Sequence, residues 1–259
     1  MQILLASAKI MNEKTDVRPP LLSRPRFDDE AGRLALEVCN WSADDLRRKL
    51  ACNAQIAAEN VLRYQQFGDE AQKLPAVLAY YGQAYKYLKA QDLSADDLRW
   101  AQDHLLITSF LYGLLRPLDN IHPYRMEGMV RLDGTDDQTL FDWWKPRLTR
   151  MLIDAVKGDD GILLHLATEE MEHLFDWKRV VREVRVVQPL FYAEKGDVLK
   201  VVTVWAKSCR GGMARYAITG RITDPAALSG FVMGSYSYDA RYGDADHPHF
   251  ISRTPQHTR

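Results

Sequence analysis

The apolar runs of this chain change period along its length, and their order limits the fold more than any count does. Between Ala31 and Phe67 they recur at helical spacing, and from Gly161 onward continuous and β-branched runs alternate with helical ones. Helices first, then strands interleaved with helices, predict an α/β (α+β) layer fold in which helices pack a mixed sheet. No repeat is detectable and no linker is long enough to divide the 259 residues, so 1–259 is expected as a single domain. With 46% hydrophobic residues, such a chain has enough apolar surface for a sizeable core.

Residues 3–7 read as a buried strand. Pro19, Pro20 and Pro25 then disfavour helix and mark an extended surface loop ending near Asp28. Helical spacing covers 31–39, 44–52 and 54–67, with Ser42 ahead of Asp45 as a capping-box start, and residues 94–101 read as a further capped helix. Residues 78–81 form a short apolar run before Gly82. The run 104–112 is apolar almost throughout, which predicts a buried helix running into Gly113. Residues 140–156 read as an amphipathic helix closed by Gly158, and 161–167 as a continuous apolar strand followed by a new helix. The β-branched runs 180–192 and 198–206, separated by Gly196, predict a hairpin, and 211–221 a helix entered through Gly211 and Gly212. From about residue 239 the tail is polar and expected to be partly disordered.

Thirty-four basic residues against thirty-five acidic ones leave a net charge of -1, so the whole-molecule field gives no case for nucleic acid or acidic lipid. The distribution is uneven. Residues 1–100 carry fourteen basic and fourteen acidic side chains, 101–177 seven and fourteen, and 178–259 thirteen and seven, for nets of 0, -7 and +6. A basic last third suits a polyanion, and equally a solvated set of strand faces. The opening residues have no basic lead and no cleavage site before Lys9, and no eighteen apolar residues run together, so neither export nor a membrane partner is expected. Cys39, Cys52 and Cys209 are too few and irregular for a disulfide framework or zinc module; they suit a reducing compartment, and a cytoplasmic location is expected.

Polar groups are densest in residues 108–125, where Arg116, Asp119, His122, Tyr124 and Arg125 are interleaved with Pro117 and Pro123. Arginines held by rigid backbone make a phosphate or carboxylate clamp; the other reading is an Arg116–Asp119 turn lock with Tyr124 in the core. The same stretch carries a family resemblance. Ser7-Ala8-Lys9, Tyr81-Gly82 with Tyr85, Leu111-Tyr112-Gly113, Arg116-Pro117-Leu118-Asp119, Pro123-Tyr124-Arg125, Leu166-Ala167-Thr168-Glu169-Glu170, Ala206-Lys207, Arg210-Gly211 and Gly230-Phe231 resemble, over nearly the whole chain, the YaaA family of bacterial proteins associated with resistance to peroxide stress.

The resemblance implies a single-domain α/β fold with a helix-hairpin-helix-like element and a positively charged cleft that binds DNA, distorted duplexes included, in a family also linked to iron. Carried onto this chain, the DNA-binding residues are Lys9, Arg116, Arg125, Lys207, Arg210 and Arg215, with Leu111-Tyr112-Gly113 as the hairpin turn. Phe110, where relatives often have glycine, and Ala6-Ser7, in place of a Ser-Pro pair, depart from the family pattern. Contacts to backbone phosphate through amides and cations read no sequence.

Residues 206–212 offer a second anion cradle, two glycines and two cations at an expected helix start, without the spacing of a Walker loop. Cys209 lies between Lys207 and Arg210, whose charge would lower its pKa and make it oxidisable; a packed neutral thiol is the alternative. Glu170 and His173 have the i, i+3 spacing of carboxylate di-iron sites but lack the second set, so a capped helix start is preferred and Glu169 is expected to partner the cleft arginines. His247 and His249 lack a third fixed ligand. No metal and no cofactor are expected. Tyr80, Tyr81, Tyr85 and Tyr87 suit helix packing better than base stacking. Two functions remain: a non-enzymatic, sequence-independent DNA binder of the peroxide response, or an enzyme acting on a phosphorylated or nucleotide-like small molecule through Lys9, Glu169 and Tyr124.

Overall fold

The computed structural model of the chain describes residues 1–196 and 198–253. Its first apolar run forms β1 (Gln2–Leu5), buried at all four positions, as a parallel strand covered on both faces must be. The proline-rich stretch is extended, touching the body through bridges of Met11 with Tyr80 and Ser23 with Asp119. Three helices follow: α1 (Asp28–Cys39), α2 (Ala43–Lys49) and α3 (Ala54–Gln65). Ser42 and Asp45 form the expected capping box. After β2 (Leu74–Pro75), α4 (Ala76–Ala79) and α5 (Gln83–Leu88) comes α6 (Ala95–His104), opened by a second capping box between Ser94 and Asp97.

The buried run that follows is not a helix. It holds β3 (Leu105–Ser109), which turns back into β4 (Gly113–Leu115) with Ser109 opposite Gly113. All five β3 residues are buried, so no polar face survives to mark a period of two, and a continuous apolar run cannot be told from a buried helix. Leu111-Tyr112-Gly113 is therefore a strand-to-strand turn and not the hairpin between two helices. Gly113 has φ +74, and a Cβ there would lie 2.9 Å from the Trp144 ring.

β5 (Asn120–Ile121) pairs with β2, and α7 (Leu140–Lys157) ends at Gly158 as expected. Then come β6 (Ile162–Leu166), α8 (Glu169–Glu172), α9 (Trp177–Glu183) and β7 (Arg185–Val187). The first sheet has the order β4-β3-β1-β6-β7. β1 lies at its centre, parallel to β3 with Ile3 beside Leu105 and parallel to β6 with Leu4 beside His165.

A second five-stranded sheet has the order β10-β11-β12-β8-β9 and comprises β8 (Leu190–Lys195), β9 (Val198–Lys200), β10 (Val232–Met233), β11 (Tyr236–Gly243) and β12 (Pro248–Ser252). Gly196, at φ +62, sits between the antiparallel β8 and β9, but this hairpin is shorter than its β-branched runs suggest. Residues 180–192 divide among α9, β7 and β8, which serve different sheets, and the helix α10 (Thr203–Thr219) begins inside the second run. The tail forms β11 and β12 as far as Ser252, and it reads as polar because most of β11 faces solvent. Residues 254–259 of the tail lie outside the described residues.

Gly211 and Gly212 are in the interior of α10, not at its start, so the expected cradle of helix N-terminal amides is not formed there. Glycine costs about 1 kcal/mol in a helix interior, so its presence calls for a packing reason. That reason is α5. An ideal Cβ on Gly211 would fall 1.8 Å from the Ala84 carbonyl oxygen, so the two backbones meet without an intervening side chain. Arg215 locks the crossing by donating from one guanidinium nitrogen to the Leu88 and Lys89 carbonyls at the end of α5 (3.1 and 2.9 Å). α10 also touches β1, β6 and β8, which joins the two sheets. Gly211→Ala is expected to cost about 1–3 kcal/mol by overpacking, read as a fall in midpoint by thermal or urea denaturation. Gly212→Ala, which meets the movable Met233 sulfur and Phe231 ring, should cost less.

Candidate functional site

The chain leaves β1 toward β3 and leaves β6 toward β7, in opposite directions across the sheet. Where strand order reverses in this way, the loops beyond the carboxyl ends separate and leave a crevice. A cavity of about 310 Å³ opens there, floored by Leu5 and Leu166 at the strand ends and walled by the loop 6–10, Thr168 and Glu170 after β6, the start of α5, Phe110, residues 124–126, and α10.

Four cations reach this cavity from three distant parts of the chain: Lys9 after β1, Arg125 after β5, and Lys207 with Arg210 on one face of α10. Two are already neutralised. Glu127 accepts from Lys9 Nζ at 2.7 Å through Oε2 and from Arg125 at 3.0 Å through Oε1. Lys207 and Arg210 make no ion pair or side-chain hydrogen bond among the described residues; Lys207 is exposed and Arg210 half-buried, and burial pulls the Arg210 pKa below the ordinary guanidinium value against the opposing influence of Cys209 and Glu172. Two further buried polar atoms on the lining, Arg125 Nε and Thr168 Oγ1, are unpaired. Unpaired polar atoms and two cations outside any ion pair give this lining donors suited to an anion, beside the Glu170 carboxylate that shares it.

Tyr124 forms the inner wall. Its hydroxyl bonds to the Tyr80 hydroxyl at 2.7 Å and Ser109 Oγ at 2.6 Å, while Tyr85 donates to the Ala6 carbonyl at 3.0 Å. Burial pushes the Tyr124 phenol up to about 12, against the opposing pull of those hydrogen bonds. It stays protonated at neutral pH and holds the wall in shape. Tyr80 and Tyr85 are packing residues, as their spacing suggests.

The structure does not bring all the predicted residues together. Arg116 is at the opposite end of the sheet, where its guanidinium donates to Gln2 Oε1 at 2.9 Å and to the Asp103 carbonyl at 3.0 Å. Its backbone amide binds Asp119 Oδ2 at 2.8 Å, so the turn-lock reading is the correct one. Gly113 is packed under Trp144, and Arg215 is spent on α5. Glu169 is exposed and outside the cavity lining; the neighbouring Glu170 lines it instead. Lys9, Glu169 and Tyr124 therefore do not converge as an acid/base set. His173 lies edge-on to Phe141, and His247 bonds to Asp244 in the β11–β12 turn. Cys209 is buried, and burial pushes its thiol up to about 12 despite the nearby Arg210.

Glu127, Thr168, Glu170 and Phe110 were not marked as site residues by the sequence. Glu127 offered a signal, a carboxylate two residues after Arg125. Thr168 is expected from the sequence to cap the helix after β6; it stands at the N-cap of α8 but makes no capping hydrogen bond, which leaves its hydroxyl unpaired. No helix among the described residues is long and apolar enough to cross a membrane.

Fold and cavity together define a mixed α/β protein with a cation-bearing pocket at its topological switch point. The chain belongs to the peroxide stress protein YaaA family, whose model matches residues 1–242. It is similar to proteins designated UPF0246: 45% identical over 248 residues to one from Phocaeicola vulgatus (95% of this chain, 97% of the relative), 46% over 245 residues to one from Bacteroides thetaiotaomicron (94% and 95%), and 38% over 233 residues to one from Ruegeria pomeroyi (88% and 90%). Because a neutral thiol is a weak nucleophile, iodoacetamide at pH 8 should modify Cys209 only after denaturant is added. Mass mapping of rapid labelling at Cys209 in the folded protein would refute its assignment as an inert packing residue.

Proposed function

We propose that this chain serves the peroxide stress response by binding DNA through the backbone phosphates, with Lys9, Arg125, Lys207 and Arg210 as the contacts. The observation that carries this reading is the convergence of these four cations on one mouth, two of them outside any ion pair, in a protein whose net charge is -1. The charge is local, so the field that attracts a polyanion is local too. Lysines on the rim and arginines deeper in match phosphate recognition, since guanidinium offers a planar fork and ammonium a point charge. Such contacts fix position on the strand and carry no sequence information. Gly113, Arg116 and Arg215 act through the fold and not on the DNA.

Binding of a fluorescent duplex at several salt concentrations tests this. Affinity should fall with added salt, each neutralised phosphate adding about 0.9 to the slope of log affinity against log salt. The double reversal Lys207→Glu/Arg210→Glu should weaken all sequences alike by at least tenfold and flatten the slope by about two. Reversal of Arg47 and Arg99, exposed cations outside the cavity that pair with Asp44 and Asp96, changes the net charge equally and should have a far smaller effect. A folded protein that binds no DNA at low salt, or a loss confined to particular sequences, would overturn the reading.

A further inference from the structure

The cavity is more than a row of phosphate contacts, because its interior is apolar. Phe110, Met126 and Met171 form its walls, Leu5 and Leu166 its floor, and Tyr85 closes one side. A strand backbone lying across the mouth would leave these surfaces unused. A free inorganic anion would fill little of the 310 Å³. The volume is at the lower end of small-ligand pockets, roughly 300–1,000 Å³, and far below what a duplex needs. Charged and apolar groups share the lining. Lys207 and Arg210 lie together on one face of α10, and the same cavity carries the unpaired Thr168 hydroxyl, the Glu170 carboxylate, and the aromatic and thioether side chains. Thioethers are soft and polarizable and pack well on ring faces. The complementary ligand is an anion on a flat, weakly polar body of one-ring or two-ring size.

We propose that this cavity is a mononucleotide site, which takes one unstacked nucleotide with its base against Phe110, Met126 and Met171 and its phosphate on Arg210 and Lys207. The inference rests on the DNA-binding reading above for the choice of a nucleotide among flat anions. Extruding one base from a stack costs a few kcal/mol, least where the base is already unpaired, and burial of the base against aromatic and apolar side chains offsets that cost. The same chemistry has two sources, a nucleotide swung out of a DNA strand and a free nucleoside monophosphate, and the test separates them.

The full chain is titrated with four probes: an intact duplex, the same duplex carrying one extrahelical 2-aminopurine nucleotide, the same duplex with a base-free sugar at that position, and adenosine monophosphate. The extrahelical nucleotide should bind at least tenfold tighter than either the intact or the base-free duplex, and 2-aminopurine fluorescence should change on binding. Met171→Trp, which fills the cavity, should bring that preference close to one. Arg210→Gln should also reduce it; thermal melts establish that each variant is folded, and this second substitution, on a side chain in no ion pair, adds no bulk to the core. Equal affinity for all three duplexes, with 2-aminopurine unperturbed, would overturn the mononucleotide site while leaving phosphate binding intact. Binding of adenosine monophosphate without any duplex would keep the site and overturn the DNA reading. Binding of none of the four would overturn both.

Discussion

β1 accepts a parallel partner on each side, and everything at the site follows from that arrangement. Its four residues are joined to Leu105–Ile107 on one edge and to Leu163–Leu166 on the other, segments that the chain reaches only after long excursions. The excursions leave the sheet in opposite directions, so the carboxyl end of β1 is where no connection can cover the edge. The amino end is closed by polar groups instead. Gln2, the one polar residue in the strand, gives its amide nitrogen to the Asp103 carbonyl at 3.0 Å and to Asp159 at 2.9 Å and takes the Arg116 guanidinium on its oxygen. One end of the sheet is saturated with internal hydrogen bonds, and the other opens on a cavity whose lining includes unpaired polar atoms. The difference separates Arg116, whose guanidinium is spent on the sheet, from Arg210, which is in no ion pair.

Local chemistry was legible in the sequence, and long-range choice was not. The capping boxes at Ser42 and Ser94, the end of α7 at Gly158 and the turn at Gly196 depend on a few adjacent residues, and they stand as read. Residues 104–112 were misread because complete burial removes the polar face that distinguishes period two from period 3.6. Gly211 was misread for a related reason. A glycine pair marks a helix boundary when only local cost is weighed, and the Ala84 carbonyl that requires it here is more than a hundred residues away in sequence. At the cavity, Arg125 stands out in the sequence beside Pro123, Lys207 and Arg210 stand out beside two glycines that turn out to be inside α10, and Lys9 is pointed to only by the family resemblance. Arg116 had the same local signature as Arg125, and only its distance from the cavity tells it apart.

Cys209 shows how placement overrides neighbourhood. Two flanking cations along the sequence suggest a lowered thiol pKa, yet on a helix the residues at 207 and 210 project away from 209, which faces the core with no exposed surface. Desolvation then disfavours the thiolate more than Arg210 favours it. The same helix geometry that buries the thiol brings Lys207 and Arg210 onto one face, so the loss of a reactive cysteine and the gain of a paired cationic site are one consequence of the period of α10.

The cavity's charge is divided, and the division sets how an anion would sit in it. On one side Glu127 already satisfies Lys9 and Arg125, and an entering anion must displace that carboxylate and leave it in need of a partner. On the other side Lys207 and Arg210 are in no ion pair, and Arg210 is partly buried with only a longer-range pull from Glu172. An anion arriving on α10 has no formed ion pair to break there. The negative group of a ligand is therefore drawn to Lys207 and Arg210 first, and the rest of the ligand is left facing the apolar walls. Lys9 and Arg125, released from Glu127 only by a second negative group, then answer to a ligand with more than one phosphate along its length. On the proposed reading a strand supplies that and an isolated small anion does not, so the two halves of the mouth would suit a polyanion even though the chamber behind them has room only for a single flat group.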